Sequence, residues 1–275
     1  MAQAIAAPSD EFGFLIRETQ AEYREKSKTH LSSHALADFR RCALLYRRRQ
    51  DGLIPDQDRP AFALGRQAHV LILEHAEQFN RLYVISDGPI NPHTQRAYGK
   101  DTAAYREWKE ALHDKEPISW ADYELVSHLA DGVYANPEAV SLLTRGQAEG
   151  VVRAEYFGVP CQTRMDWFNP ERGIVDLKSC DDLTWFEADA RRFGYAHQMA
   201  FYQAVLERAT GETAPVHMVA VEKKEPFRCG VWLLSNDTLT FARRENEAAI
   251  ERLKQCELTG VWPTGYEERR VFDFL

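Results

Sequence analysis

The chain has 275 residues, 44% of them apolar and 28% charged, enough for one large domain or two small ones with a sizeable core. A net charge of −8 argues against a protein that coats nucleic acid nonspecifically, although it leaves room for an enzyme with a local basic channel. No apolar run approaches the roughly 18 residues of a membrane span, the first residues lack a basic-then-apolar leader, and five scattered cysteines offer neither a CxxC pair nor a disulfide framework. The expectation is a cytoplasmic protein with reduced thiols.

Residues 1–28 are polar and weakly patterned, a partly helical lead-in. The run "LSSHALADFRRCALLYRRRQDG" predicts one helix capped by Ser32 or Ser33, striped by Leu36, Phe39, Ala43, Leu44 and Tyr46, and ended by Asp51-Gly52. "RPAFALGRQAHVLILEHAEQF" predicts a second helix, apolar around most of its circumference and therefore buried. "INPHTQRAYGKDT" reads as a loop, and residues 101–113 and 119–146 as helices broken by Pro117 and Pro137. At residue 150 the period changes from helical to alternating. "GVVRAEYFG", "VPCQTRMDWFN" and "GIVDLKSC" read as strands, followed by a helix over 184–209. "VHMVAVE" and "CGVWLLS" form a second hairpin through "KKEPFR". Asn236 or Asp237 then caps a long helix to about Cys256, and the tail is irregular. Helices first, then a sheet among helices, predict one α/β domain over 29–275: a central mixed β-sheet flanked by helices, with a helical N-terminal part.

The chemistry concentrates in one hairpin. "NPERG" at 169–173 is a turn sequence. If the hairpin is symmetric about Glu171, Phe168 faces Ile174, Asp166 faces Asp176, and Arg164 faces Lys178. Alternation then puts those four charged side chains on one face and Trp167, Val175 and Leu177 on the other. Two opposed carboxylates repel unless a cation lies between them. Mg²⁺ takes oxygen ligands and retains water, which suits phosphodiester hydrolysis. Lys178 can orient or help deprotonate the attacking water and stabilise the charged transition state. On this hairpin alone, a salt-bridged surface turn explains the acids and lysine as well.

Two further segments add to it. In "GYAHQMAFYQAVL", Gln198 and Tyr202 lie four apart on one helical face. In "ALGRQAHVLILEH", His69 sits in an apolar helix one turn after Gly65, which permits close approach of a backbone or substrate. Either pair alone fits an ordinary core or surface.

In order and spacing, G-x-x-A-H at 65–69, Asp166, D-x-K at 176–178 and Q-x-x-x-Y at 198–202 resemble the PD-(D/E)XK nucleases. "HLSSHALADFRRC", "AEGVVRAEYFGVPCQTRMDWF" and "LTGVWPTGY" are similar to the branch containing the nuclease domain of RecE (exonuclease VIII). The resemblance spans residues 29–266. It implies Mg²⁺-dependent digestion of double-stranded DNA from its ends, 5′ to 3′, leaving a 3′ strand for recombination by annealing, with Mn²⁺ able to substitute. It also implies a ring-shaped homo-oligomer, a phage or prophage setting, and a RecT-type annealing partner. Carried over by position, Asp166 and Asp176 are metal ligands, Lys178 the catalytic lysine, His69 a further ligand, and the carbonyl of Leu177 another. Gln198 and Tyr202 shape the site and touch DNA, and Arg66 and Arg164 are candidates for the 5′ phosphate. Glu149 or Glu155 takes the place of an acid preceding the sheet. Arg40, Arg41, Arg47, Arg48 and Arg49 are candidates for lining the channel. The third motif is D-x-K where many members have E-x-K, a mild departure. An endonuclease of the same superfamily and a silent DNA-binding or partner-recruiting module remain the alternatives. An iron–sulfur nuclease would need clustered cysteines that this sequence lacks.

Overall fold

A computed structural model describes residues 12–55 and 60–272. In chain order, α1 (Gln20–Lys26), α2 (Ser33–Arg41), α3 (Ala43–Gln50), α4 (Pro60–Leu73), α5 (His75–Leu82), β1 (Tyr83–Ile85), α6 (Ala103–Ala111), β2 (Glu116–Ile118), α7 (Trp120–Tyr134) and α8 (Pro137–Leu143) precede the main sheet. That sheet comprises β3 (Gln147–Tyr156), β4 (Val159–Asn169), β5 (Gly173–Cys180), β6 (Val216–Glu222) and β7 (Cys229–Leu233) in spatial order 3-4-5-6-7. Between β5 and β6 the chain crosses over through α9 (Phe186–Phe193) and α10 (Tyr195–Thr210), so β5 and β6 run parallel while the other neighbours are antiparallel. α11 (Asn236–Thr259) follows β7. This is the mixed α/β architecture expected from the sequence.

Three long helices expected from periodicity are each divided. Cys42 adopts an extended backbone between α2 and α3, and its Sγ accepts the amide of Leu45 at 3.4 Å. The break lets Tyr46 pack edge-on against Phe39 and stack on Trp262. α4 ends before Glu74, and His75 takes φ +68°, turning the chain so that Phe79 joins the same buried cluster as Ile72. Gly194, at φ +71°, ends α9 in a left-handed cap and starts α10. A side chain with Cβ adopts that conformation poorly. The small parallel pair β1–β2 was not foreseen, because three-residue strands carry too little alternation to read. The cap of α11 is Ser235 rather than Asn236 or Asp237: its side chain accepts the amide of Thr238. The end of the C-terminal tail, 273–275, lies outside the described residues, as do residues 1–11 of the lead-in.

The sheet separates two apolar clusters. One gathers residues of α2, α3, α9, α10 and α11 on the face bearing Met165, Ile174 and Met218. The other gathers α4, α5, α7 and α8 on the face bearing Trp167, Val175 and Leu177. The lead-in is tied across the β3–β4 hairpin. Ile16 exchanges both backbone hydrogen bonds with Val151 on the outer edge of β3, at 2.8 and 3.0 Å. Leu31 bonds to Pro160 and Gln162 on the far edge of β4. Between these points the Gln162 amide donates to Tyr23 O and Ser27 Oγ of the α1 region.

Candidate active site

The turn that builds the site is held by Asn169. Its Oδ1 accepts the amides of Glu171 and Arg172 at 2.9 and 3.0 Å, and its Nδ2 donates to Leu142 O. Gly173 follows at φ +86°, with Pro215 O so close that a Cβ would clash. The hairpin register pairs Asn169 with Gly173, Phe168 with Ile174 and Trp167 with Val175, and there the ladder stops. On the other side of β4, Ala148 pairs with Trp167 and Gly150 with Met165, leaving Glu149 and Asp166 out of the ladder between them. Glu149 has φ +55°, a costly conformation for a non-glycine residue. The sheet therefore opens at one point, where Glu149, Asp166 and Asp176 stand on three adjacent strands.

That opening answers how acids are tolerated there. The Leu177 amide, freed from a β4 carbonyl, donates to Asp166 Oδ2 at 2.8 Å. The Leu177 carbonyl accepts from His69 Nε2 of α4 at 2.8 Å, and His69 Nδ1 lies 3.6 Å from Asp166 Oδ2. With Nε2 donating, Nδ1 presents a lone pair toward the acids, the arrangement in which a backbone carbonyl fixes the tautomer of a metal-binding imidazole. His69, Glu149 and Asp166 each offer a ligand atom, all within 4.8 Å of one another.

Asp176 is fully buried, and Lys178 Nζ lies 2.5 Å from its Oδ2. Apart from that lysine, neither Asp176 oxygen has a hydrogen-bond donor among the described residues. Glu222, equally buried, shows what a structural carboxylate has in this fold: donors from Leu183 N, Arg228 Nε and Arg228 Nη2. Unsatisfied buried carboxylate oxygens are expensive. Their presence here fits a site completed by a hard cation, and the donor set of three carboxylates and one imidazole suits a divalent ion.

The electrostatics agree with that geometry. Burial pushes the Asp176 carboxyl up to about 6, with Asp166 adding to the rise and Lys178 opposing it. Burial likewise pushes Glu149 up to about 7 against the pull of Arg164, and Asp166 adds to it. For Lys178, burial works to strip the proton, but the carboxylates of Asp176 and Asp166 outweigh it and hold the ammonium above its ordinary value.

The remaining sequence candidates fall in different places. Gln198 Nε2 donates to Tyr202 OH at 3.0 Å on α10, and Tyr202 is buried close enough for Asp176 and Asp166 to act on its phenol, which burial raises. Arg164 does not face Lys178. The β4–β5 ladder ends before that pair would form, so Arg164 lies opposite Val151 of β3 and its Nε pairs with Glu149 Oε2 at 2.5 Å. Of the two acids left open by the sequence, Glu149 is at the site, and Glu155 is exposed at the far end of β3. Arg66 is half-buried on α4, with its charge acting on the Tyr83 phenol. Gly65 meets no other backbone: a Cβ there would find nothing within 4 Å, so it borders open space beside His69. The arginine cluster divides. Arg40 binds Asn246, Arg47 pairs with Asp51 and Arg49 with Asp38, while Arg41 and Arg48 are exposed. Sequence reasoning missed Glu74, half-buried after α4, where burial raises its carboxyl and the charges of Arg164 and His69 reach it. It also missed Tyr195, whose ring centre is 5.1 Å from Lys178 Nζ. Its position three residues before Gln198, on the same helical face, was the available signal. No helix among the described residues is long and apolar enough to cross a membrane.

The architecture recurs in a solved structure. A candidate exonuclease from Eubacterium rectale superposes with a TM-score of 0.68 at 17% identity, over 94% of this chain and 96% of that one. A phage related exonuclease from Haemophilus somnus 129PT gives a TM-score of 0.37 at 12% identity, over 86% of this chain and 99% of that one. An alkaline exonuclease from Laribacter hongkongensis gives 0.32 at 14% identity, over 58% and 85%. No curated protein matches the chain. Residues 32–272, which include the opened sheet and the helices that supply His69, Gln198 and Tyr202, match the family model of a PDDEXK-like domain of unknown function (DUF3799), and the chain belongs to that family.

Proposed function

We propose that this chain is a divalent-metal-dependent nuclease that digests double-stranded DNA from its ends. The observation that carries the reading is Asp176: a fully buried carboxylate whose one partner among the described residues is the Lys178 ammonium, with Asp166 and an imidazole close by. A structural role would have supplied donors, as it does for Glu222. The structural neighbour from Eubacterium rectale is named as a candidate exonuclease, which points the same way.

Asp166, Asp176, Glu149 and His69 would hold the ion, and Mg²⁺ or Mn²⁺ is the natural choice for carboxylate-rich ligands. When bound, such an ion supplies neutralisation of charge on the phosphate and a water of lowered pKa. The chain's own contribution is positional. Lys178, kept charged by the acids, stands where it can stabilise negative charge developing on a phosphate. His69 is locked by the Leu177 carbonyl, whose second lone pair still leaves it capable of serving as a ligand. Gln198 and Tyr202 are bonded to each other on α10, with the Tyr202 phenol within electrostatic reach of Asp166 and Asp176, and Gly65 keeps the helix surface one turn before His69 clear of a side chain. The 5′ to 3′ direction, a 3′ overhang for annealing, the RecT-type partner and the ring-shaped oligomer rest on the family resemblance.

The test is digestion of linear and covalently closed duplex side by side with Mg²⁺, using duplex labelled at either end. The expected result is release of nucleotides from the linear form alone, 5′ end first, and none from a Lys178→Ala protein. Cutting of the closed circle would make it an endonuclease. Duplex binding that is equal in both proteins, with no cutting by either, would make it a binding module.

A further inference from the structure

We propose that Phe193, with Arg192 beside it and Tyr195 beneath it, forms a stacking subsite for the nucleobase next to the scissile phosphate. The inference rests on the nuclease reading above and adds to it where the base would lie.

The elbow between α9 and α10 makes this surface. Because Gly194 is left-handed, Phe193 and Tyr195 flank the turn with ring centres 5.9 Å apart and planes inclined by 31°. Tyr195 is half-buried and carries Lys178 Nζ over its face at 5.1 Å. On its inner side lies Phe186, fully buried, with ring centres 6.3 Å apart. The aromatic series thus runs from the core, past the lysine of the site, to Phe193, which is 58% exposed. One ring–ring contact and one cation–ring contact separate this exposed phenyl from the proposed catalytic ammonium.

Exposing a phenylalanine costs free energy, and a ring needed only to shield Tyr195 would gain by turning inward. A nucleobase is the occupant that this surface fits. Every base has a π-face, so a ring beside the cleavage point can hold any sequence, as digestion of arbitrary DNA demands. The surface is cationic: Arg191 and Arg192 are exposed in the last turn of α9, and the Arg192 guanidinium lies over the Phe193 ring, 5.4 Å from its centre, where a base would take its place. A guanidinium displaced from the ring by the base is free to complement the phosphodiester that accompanies it.

The experiment uses duplex DNA with 2-aminopurine at its terminal position, Ca²⁺ in place of Mg²⁺, and the wild-type chain beside Phe193→Ala, Phe193→Trp and Phe241→Ala. Phe241 is 62% exposed on α11 and serves as the control. The subsite predicts quenching of the probe by the wild type and Phe241→Ala. It predicts loss of quenching with about tenfold weaker end binding in Phe193→Ala, and recovery of both in Phe193→Trp. Unchanged quenching and affinity in Phe193→Ala overturn the subsite. If the same wild-type protein digests linear duplex in Mg²⁺, the nuclease reading stands nonetheless. Loss of digestion in Phe193→Ala with quenching intact would assign the ring to screening Lys178 and also overturn the subsite. A wild-type protein that neither binds nor digests duplex would overturn both.

Discussion

The Lys178 ammonium lies 2.5 Å from a carboxylate oxygen of Asp176, two residues earlier on the same strand. Residues at that spacing share a face but are not ordinarily in contact, so a lysine folded back onto its own strand marks an unmet charge. Asp176 is that charge, and the pair is the closest thing it has to a partner.

Removing the lysine should therefore cost stability as well as chemistry. Lys178→Met leaves Asp176 buried and alone, with a loss of up to about 3 kcal/mol near pH 8. The loss should shrink near pH 5, where Asp176 keeps its proton. Denaturant unfolding at the two pH values checks this. An equal loss at both would mean that the ion pair is not what the lysine supplies.

The raised carboxyl of Asp176 sets the sign of a pH effect. The folded chain holds a proton that the unfolded chain releases near 3.8, so ionisation weakens the fold as pH rises from there to about 6. Asp176→Asn removes that penalty. Its melting temperature relative to wild type should climb across this window and level off above it. Without metal, a difference that stays flat or falls would show that Asp176 ionises freely. Added Ca²⁺ or Mg²⁺ should stabilise wild type more near pH 8 than near pH 5, because the ion competes with those protons.

His69 is expected to matter for metal rather than for folding. It is half-buried, and its bonds are to Leu177 O and toward Asp166. His69→Ala should raise the Mn²⁺ concentration needed for half-maximal thermal stabilisation by about tenfold or more, with little change in the metal-free melt. An unshifted Mn²⁺ titration would remove His69 from the ligand set.

Gly65 separates the fold from the entrance. It is inside α4 with open space around its Cβ position, so Gly65→Ala should stabilise by up to about 1 kcal/mol. Gly65→Phe should fold comparably but project a ring beside His69, raising KM for DNA with less effect on metal binding. A Phe variant with wild-type KM would show that DNA enters elsewhere.

How much of this was legible in the sequence depends on the range of the interaction. β5 and β6 match the segments "GIVDLKSC" and "VHMVAVE" because two-residue alternation, turn chemistry at "NPERG" and apolar content are local signals. The same alternation predicted the shared apolar face of Trp167, Val175 and Leu177, which the structure shows in one cluster. The helix breaks at Cys42, Glu74 and Gly194 were not legible: each is set by what the following segment must reach, Tyr46 to Trp262, Phe79 to Ile72, Tyr195 to Lys178.

The sequence by itself determined that Asp166, Asp176 and Lys178 would lie near one another across a short turn, because alternation and turn length are properties of the local chain. Tertiary structure alone decided that the ladders let go at Glu149, Asp166 and Asp176, that Arg164 pairs with Glu149 rather than facing Lys178, and that His69 reaches Leu177, beside the acids, from 108 residues away along the chain. The physical reason is that strand separation and helix docking follow from packing two apolar clusters on opposite faces of one sheet, a balance over contacts that no stretch of sequence contains.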